Sequence, residues 1–453
     1  MKPIPSTRRV PATGQQRAMY FIEGMRPPGT LNVARAWKIN RPVRPEWLSA
    51  AGKALVERYD SLNLRFTFDR GTLWAVQPPF ADVHVNTEQW PVGDGKPLDQ
   101  WLKEAAAYPF MVDMDSSLFR VNVLWAPEQV VVCLVAHHLV ADWWSMNLLF
   151  ASFMSYVDRL SGKGENTAEP VKAPSFLDYA ASMAERQHLD EEAAARHYWQ
   201  EIFSSRQPLR FRPPPGEVVK EPDVVWTKKR ETRWATADFG RGEWDALRAR
   251  SAAERCTPFA LMLTVLFEVM APRTETTEFV ICIPTFNRGT GSEMHLVGCL
   301  ANRIYLMGPP EREEFSSRLR HTASHLKRAL RFQEFPFDDL VNEWGTRDLQ
   351  VIYDAMLRVY FGIGSHIAVA QYINSRVIGS SERHRDVIPL QVEVGGGMTG
   401  DFYFLMRGTG DSVSVSMAVN PGVLPGRQVE DMMLELTQRV GEITGSEITG
   451  AGG

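Results

Sequence analysis

Two adjacent histidines, His137 and His138, close the apolar run VVVCLVAHH, and Asp142 follows four residues after the second. Imidazole titrates near pH 6.5, so its neutral form is available at pH 7 to accept a proton. A strand that ends in His-His and turns through Leu-Val-Ala-Asp into a helix puts these groups at a strand-to-helix loop, where catalytic residues concentrate. Successive strand residues face opposite sides, so one histidine faces a cavity and the other the core. That pattern fits one general base with one supporting residue. It fits equally a pair of satisfied structural histidines. Metal binding fits less well, because neighbours on a strand diverge and no cysteine cluster completes a tetrahedral site. Nucleophile-elbow, phosphate-loop and dinucleotide glycine motifs are absent. Ser145, helped by Asp142, is placed to cap the helix that follows.

The elements around this stretch alternate between strand and helix. PEWLSAAGKALVER, residues 45–58, has helical apolar spacing with Pro45 and Glu46 at its start. LRFTF and TLWAVQP flank Asp69-Arg70-Gly71 as a hairpin. A helix from Trp101 stops before Pro109. LFRVNVLWA and QVVVCLVAHH form a strand pair, and a long helix starts at Trp143. Residues 161–174, SGKGENTAEPVKAP, form a loop or linker, and a charged helix covers about 176–204. Beyond the proline-rich 210–223, helices are expected at 243–254, 258–270, 315–331 and 427–444. Strands are expected at 278–284, 300–307, 356–362, 402–407 and 412–419. Mixed elements in both halves predict two α/β lobes, 1–174 and 175–453.

With 453 residues, 44% of them hydrophobic, the chain can bury two cores. A net charge of −4 gives no nucleic-acid footprint. No apolar run reaches membrane-span length, and MKPIPSTRRVPATGQQ has no secretory h-region. Cys133, Cys256, Cys282 and Cys299 are scattered, as expected of reduced thiols in a cytoplasmic protein.

AHHLVADWWSM resembles the His-His-x-x-x-Asp-Gly core of the condensation domains of nonribosomal peptide synthetases, a family with the chloramphenicol-acetyltransferase-like fold. Further signatures stand in the family's order. TGQQRAMY (13–20) is similar to the opening Ser-x-Ala-Gln motif. RYDSLNLRF (58–66) resembles Arg-His-Glu-x-Leu-Arg, with Tyr59 and Asn63 departing. FLDYA (176–180) is similar to Tyr-x-Asp-Phe-Ala, and VGCLANR, from Val297, to Gly-x-Phe-Val-Asn-Thr. FQEFPFDDLV (332–341) resembles Gln-Asp-x-Pro-Phe-Glu, and RDLQVIYDAML, from Arg347, weakly resembles the last motif. DFYFL (401–405) begins like the Asp-Phe-Gly-Trp-Gly of plant-type acyltransferases but lacks both glycines, and is read as a core strand.

The resemblance implies two chloramphenicol-acetyltransferase-like lobes forming a V with a tunnel between them. It implies that His138 orients or deprotonates an acceptor amine or hydroxyl. The acceptor then attacks an acyl thioester on the phosphopantetheine arm of an acyl or peptidyl carrier protein. No bound cofactor or metal is implied. His137 supports His138 from behind, and Asp142 turns away from the channel to pair with Arg288. Trp143, Ser145, Gly298 and Asn302 fall where the family borders the tunnel. Trp143 replaces the motif's glycine. It either narrows the tunnel for a small or free acceptor, stacks on an aromatic or cationic substrate, marks a silent docking domain, or fills core space. The expected function is that of a free-standing condensation enzyme in nonribosomal peptide or hybrid natural-product (antibiotic) biosynthesis. It forms an amide, or, as second choice, an ester, and its acceptor is a small molecule or carrier-tethered.

Overall fold

A computed structural model describes residues 8–24, 28–78, 83–90, 95–112, 117–162, 172–185, 189–203, 211–212, 233–275, 279–289, 291–310, 313–335, 359–362, 386–390, 392, 402–408, 412–419 and 426–445. The chain divides into two compact units. The first comprises Met1–Gln187, Phe286–Ala301 and Tyr372–Gly396, and the second the remainder. The units are interleaved in sequence, so a single cut at 174/175 separates them incompletely.

The first unit is built on a five-stranded sheet. Its strands are β2 (Asn32–Ile39), β5 (His84–Gln89), β6 (Phe119–Ala126), β7 (Gln129–His137) and β12 (Val387–Leu390). They lie in the order β12-β2-β7-β6-β5. β7 occupies the centre, and Val130 to Ala136 have no exposed surface. A strand covered on both faces needs no polar alternation, which explains the unbroken apolar run. Helix α1 (Gly14–Gly24) precedes these strands in sequence, and α2 (Pro45–Arg58) and α3 (Leu98–Ala107) lie among them. A second sheet of three strands, β1 (Arg8–Pro11), β4 (Thr72–Gln77) and β3 (Arg65–Asp69), contains the expected hairpin. Its two-residue turn has positive φ at Arg70 (49°) and Gly71 (81°), the backbone that suits the twist of a tight hairpin.

Helix α4 (Trp143–Leu160) follows β7 and packs over β2. Trp37 of β2 and Phe150 of α4 stack with ring centroids 3.4 Å apart and planes within 10°. The contact fixes the angle at which α4 leaves the histidine turn.

The second unit holds a six-stranded sheet. Its strands are β8 (Arg233–Phe239), β9 (Val280–Thr285), β10 (Asn302–Met307), β11 (Val359–Gly362), β13 (Phe402–Gly408) and β14 (Val413–Val419). They lie in the order β10-β9-β11-β13-β14-β8. Phe402 and Phe404 of the DFYFL stretch are fully buried, as a core strand requires. The single charged helix expected over 176–204 is two helices, α5 (Phe176–Glu185) in the first unit and α6 (Leu189–Phe203) in the second. The later helices are α7 (Arg241–Ala253), α8 (Pro258–Met270), α9 (Phe315–Arg331) and α10 (Gly426–Thr444). No single described helix is long and apolar enough to cross a membrane. None of the four cysteines is in a disulfide.

Phe150→Ala removes the ring that seats α4 on β2. Loss of a buried aromatic costs about 3–5 kcal/mol, so the urea midpoint falls by a corresponding amount in equilibrium unfolding followed by circular dichroism.

Candidate active site

The end of β7 separates the two histidines as strand alternation requires. His137 is buried, 1% exposed. Its Nδ1 accepts from the Leu139 N–H at 3.2 Å, so in the neutral ring the proton resides on Nε2. That nitrogen lies 3.3 Å from Glu23 Oε2, without hydrogen-bond alignment. The edge of Phe110 meets the ring at 88°. His138 is half-buried. Its N–H donates to the Leu31 carbonyl at 2.8 Å, which extends the β2–β7 ladder one residue beyond the strand. Its Nδ1 stands 3.8 Å from Cys299 Sγ. Composition gives no sign of this neighbour, because Cys299 reads in sequence as one more buried thiol.

Asp142 is the N-cap of α4. Its Oδ1 accepts from the Ser145 N–H (2.9 Å), the Ser145 hydroxyl (2.7 Å) and Arg288 Nη2 (3.0 Å). Its Oδ2 accepts from Arg288 Nη1 (2.8 Å) and the N–H groups of Leu300 (3.1 Å) and Ala301 (3.0 Å). Both side chains of the ion pair are 1% exposed. Burial alone would raise the carboxyl's pKa, but the Arg288 charge and the hydrogen bonds from Arg288 and Ser145 outweigh it and hold it below the ordinary value. The cap is therefore Asp142 itself, with Ser145 three positions into the helix, and not Ser145 as the spacing suggested.

Ser145 does not border open space. It has no exposed surface, and its Oγ lies 3.0 Å from the Gly298 carbonyl, 3.0 Å from the Gly298 N–H and 3.0 Å from Arg288 Nη2. Gly298 is likewise buried. A Cβ there would lie 2.0 Å from the Phe176 ring, so the close approach of that ring requires glycine. Asn302 opens β10 and is 7% exposed. Its amide donates to the carbonyls of Gln333 (2.6 Å) and Phe335 (2.9 Å), tying down the turn after α9. At all three positions, buried polar groups and a tight backbone find partners within the fold.

Trp143 begins α4 and is 37% exposed. It fills no core space. The guanidinium of Arg35, from β2, lies 4.0 Å from its ring centroid. Trp144 is buried, and its Nε1 donates to the Met294 carbonyl at 3.0 Å.

Two other features lie apart from these residues. A cavity of about 720 Å³ in the first unit is lined by Arg8, Arg58, Asp60, Tyr156, Lys172 and Asp178 among others, and does not include His138. On α9, His321 and His325 are four residues apart and so share a helix face, with ring centroids 4.1 Å apart. Burial first, then His321 and Arg328, push His325 down to about 4, so it is neutral at pH 7. Among the described residues no group of three or more His, Cys, Asp or Glu is arranged to hold a metal.

The family model of the condensation domain matches residues 6–359, more than three quarters of the chain. The chain belongs to the condensation-domain family. It is 25% identical over 350 residues to bacitracin synthase 3 of Bacillus licheniformis, covering 76% of this chain and 5% of that protein. It is 25% identical over 356 residues to the phosphinothricin tripeptide synthetase PhsC of Streptomyces viridochromogenes, covering 74% of this chain and 31% of that protein. The chain thus spans less than a third of these relatives' length. The solved condensation domain of the monacolin K polyketide synthase MokA superposes with a TM-score of 0.72 at 14% identity, covering 98% of this chain and 99% of that one. SgcC5 of Streptomyces globisporus superposes with a TM-score of 0.69 at 16% identity, covering 95% and 99%. At these identities the likeness is one of fold, the chloramphenicol-acetyltransferase-like fold.

Asp142→Ala and Arg288→Ala each leave an uncompensated buried partner and cost about 3–5 kcal/mol in urea unfolding. The double variant loses less than the sum of the two. Because the folded carboxyl titrates below its ordinary 3.8, its stabilisation is complete above that pH and is lost as pH falls through the folded value. A melting-temperature series from pH 7 to pH 2 therefore falls more steeply at its acid end for the wild type than for Asp142→Asn.

Proposed function

We propose that this condensation domain transfers an acyl group from a carrier-protein thioester to an amine, forming an amide. The observation that carries the reading is the half-buried imidazole of His138, fixed at the end of the central strand beside a fully ionised, fully satisfied aspartate. Asp142 has no lone pair to spare for a substrate proton, which leaves His138 as the group with the right chemistry.

His138 accepts a proton from the acceptor amine as the nitrogen attacks the thioester carbonyl. The tetrahedral centre collapses, the C–S bond breaks, and the carrier thiolate leaves and takes up the proton. Delivery of the base through Nε2 requires the proton on Nδ1, the nitrogen that stands 3.8 Å from Cys299 Sγ. His137 and Asp142 act as supports. The first backs the strand end, and the second sets the start of α4. The thioester arrives on the phosphopantetheine arm of an acyl or peptidyl carrier protein, in nonribosomal peptide or hybrid assembly. The arm is a substrate tether and not a resident cofactor. The acceptor is a small molecule or is itself carrier-tethered, and a hydroxyl acceptor, giving an ester, is the second choice.

Trp143 at the family's glycine position supports a competing reading, a catalytically silent domain that docks carrier proteins. Transfer assays separate the two. Wild-type protein, an acyl-loaded carrier and an amine panel are followed by intact mass. Turnover that falls about 10²–10⁴-fold in His138→Ala, with the melting temperature kept, supports the transferase. Carrier binding without transfer to any amine or alcohol supports the docking domain.

A further inference from the structure

Arg35 is an unusual residue for the middle of a sheet. It pairs with Leu134 of β7, the central strand. It is half-buried, yet among the described residues its side chain has no hydrogen bond or ion pair, and its Nε is buried without a partner. Its guanidinium lies instead over the Trp143 ring at 4.0 Å. Burial lowers its pKa to about 10, which still leaves it charged at pH 7. The contrast with Arg288 is direct, since that guanidinium is also buried but is matched by a carboxylate. A desolvated cation with no anion among the described residues is a costly arrangement, and an aromatic face compensates only part of the cost.

Register places this cation relative to His138. Antiparallel partners share a face, and residues two apart along a strand share it again. Arg35 stands opposite Leu134, and the His138 N–H to Leu31 bond continues the same ladder. Arg35, Leu134, Ala136 and His138 are therefore on one face, the face α4 covers through the Trp37–Phe150 stack. Leu134 and His138 are four residues apart, roughly 13 Å along an extended strand. A long arginine side chain spans part of that distance.

We propose that Arg35 and Trp143 form a binding site for a carboxylate carried by a substrate that reacts at His138. The guanidinium fork takes the carboxylate with two parallel hydrogen bonds, and the exposed part of the indole lies against the substrate's adjoining flat or apolar part. On this view the replacement of glycine by Trp143 selects a substrate and does not disable the site. The proposal rests on the transferase reading only for naming His138 as the reacting end, since binding itself needs no turnover.

The carboxylate has two possible sources, donor or acceptor, and two matched probe pairs separate them. The donor pair is the succinyl and butyryl thioesters of N-acetylcysteamine, and the acceptor pair is phenylalanine and phenylalaninamide. Binding to the whole protein is measured by calorimetry in wild type, Arg35→Gln and Arg35→Lys. In at least one pair the carboxylate member binds wild type about tenfold or more tighter than its neutral partner, and Arg35→Gln removes the difference. Arg35→Lys restores part of it, as a charge without the fork would. Arg35→Gln also keeps or raises the melting temperature, because it removes an uncompensated cation. Equal binding within both pairs, no binding of either carboxylate member at millimolar concentration, or a lowered melting temperature in Arg35→Gln overturns the proposal. Because calorimetry reads binding alone, carboxylate discrimination without any transfer sustains this site while the transferase reading falls.

Discussion

One carboxylate organises the surroundings of the histidine turn. Asp142 receives six donors in a volume closed to water, and this count decides what it can do. A carboxylate so fully occupied is ionised and acts as an acceptor only. It is removed from proton transfer and committed to geometry. Its Oδ1 starts helix α4, which sets Trp143. Its Oδ2 holds the backbone of Leu300 and Ala301, next to Cys299, whose sulfur stands beside His138. The ion pair with Arg288 thus fixes both the start of α4 and the backbone beside Cys299.

Much of this is legible in the sequence, and the exceptions have physical causes. β7 declares itself as an unbroken apolar run because it is the middle strand of its sheet, and α2 does so through Pro45, Glu46 and its apolar spacing. β2 escapes recognition. NVARAWKI has no clean alternation, since Arg35 and Lys38 remain half-exposed on opposite faces of an otherwise covered strand. β12 carries Pro389, which argues against a strand except at a sheet edge, where β12 sits.

The site divides along similar lines. The His-His-x-x-x-Asp spacing is local and can be read in one glance. The pairing of Asp142 with Arg288, 146 residues away, has no local signature and is reachable only by resemblance. Ser145, Gly298 and Asn302 suggest a substrate passage because polar and small residues beside a reactive histidine commonly line one. In the fold the same chemistry serves interior packing and hydrogen bonding. The part of Trp143 is the least legible, because its partner Arg35 lies on the strand whose pattern is hidden.

The 146-residue interval between Asp142 and Arg288 also bears on how the chain is made. At about 5–20 residues per second, the ribosome takes roughly 7–30 s to reach the arginine after finishing the aspartate. Throughout that interval the nascent strand β7 and helix α4 exist without the cation that makes their junction stable in a dry interior. Until residues 286–301 emerge the aspartate lacks this partner, and any pause in translation along that interval lengthens the wait.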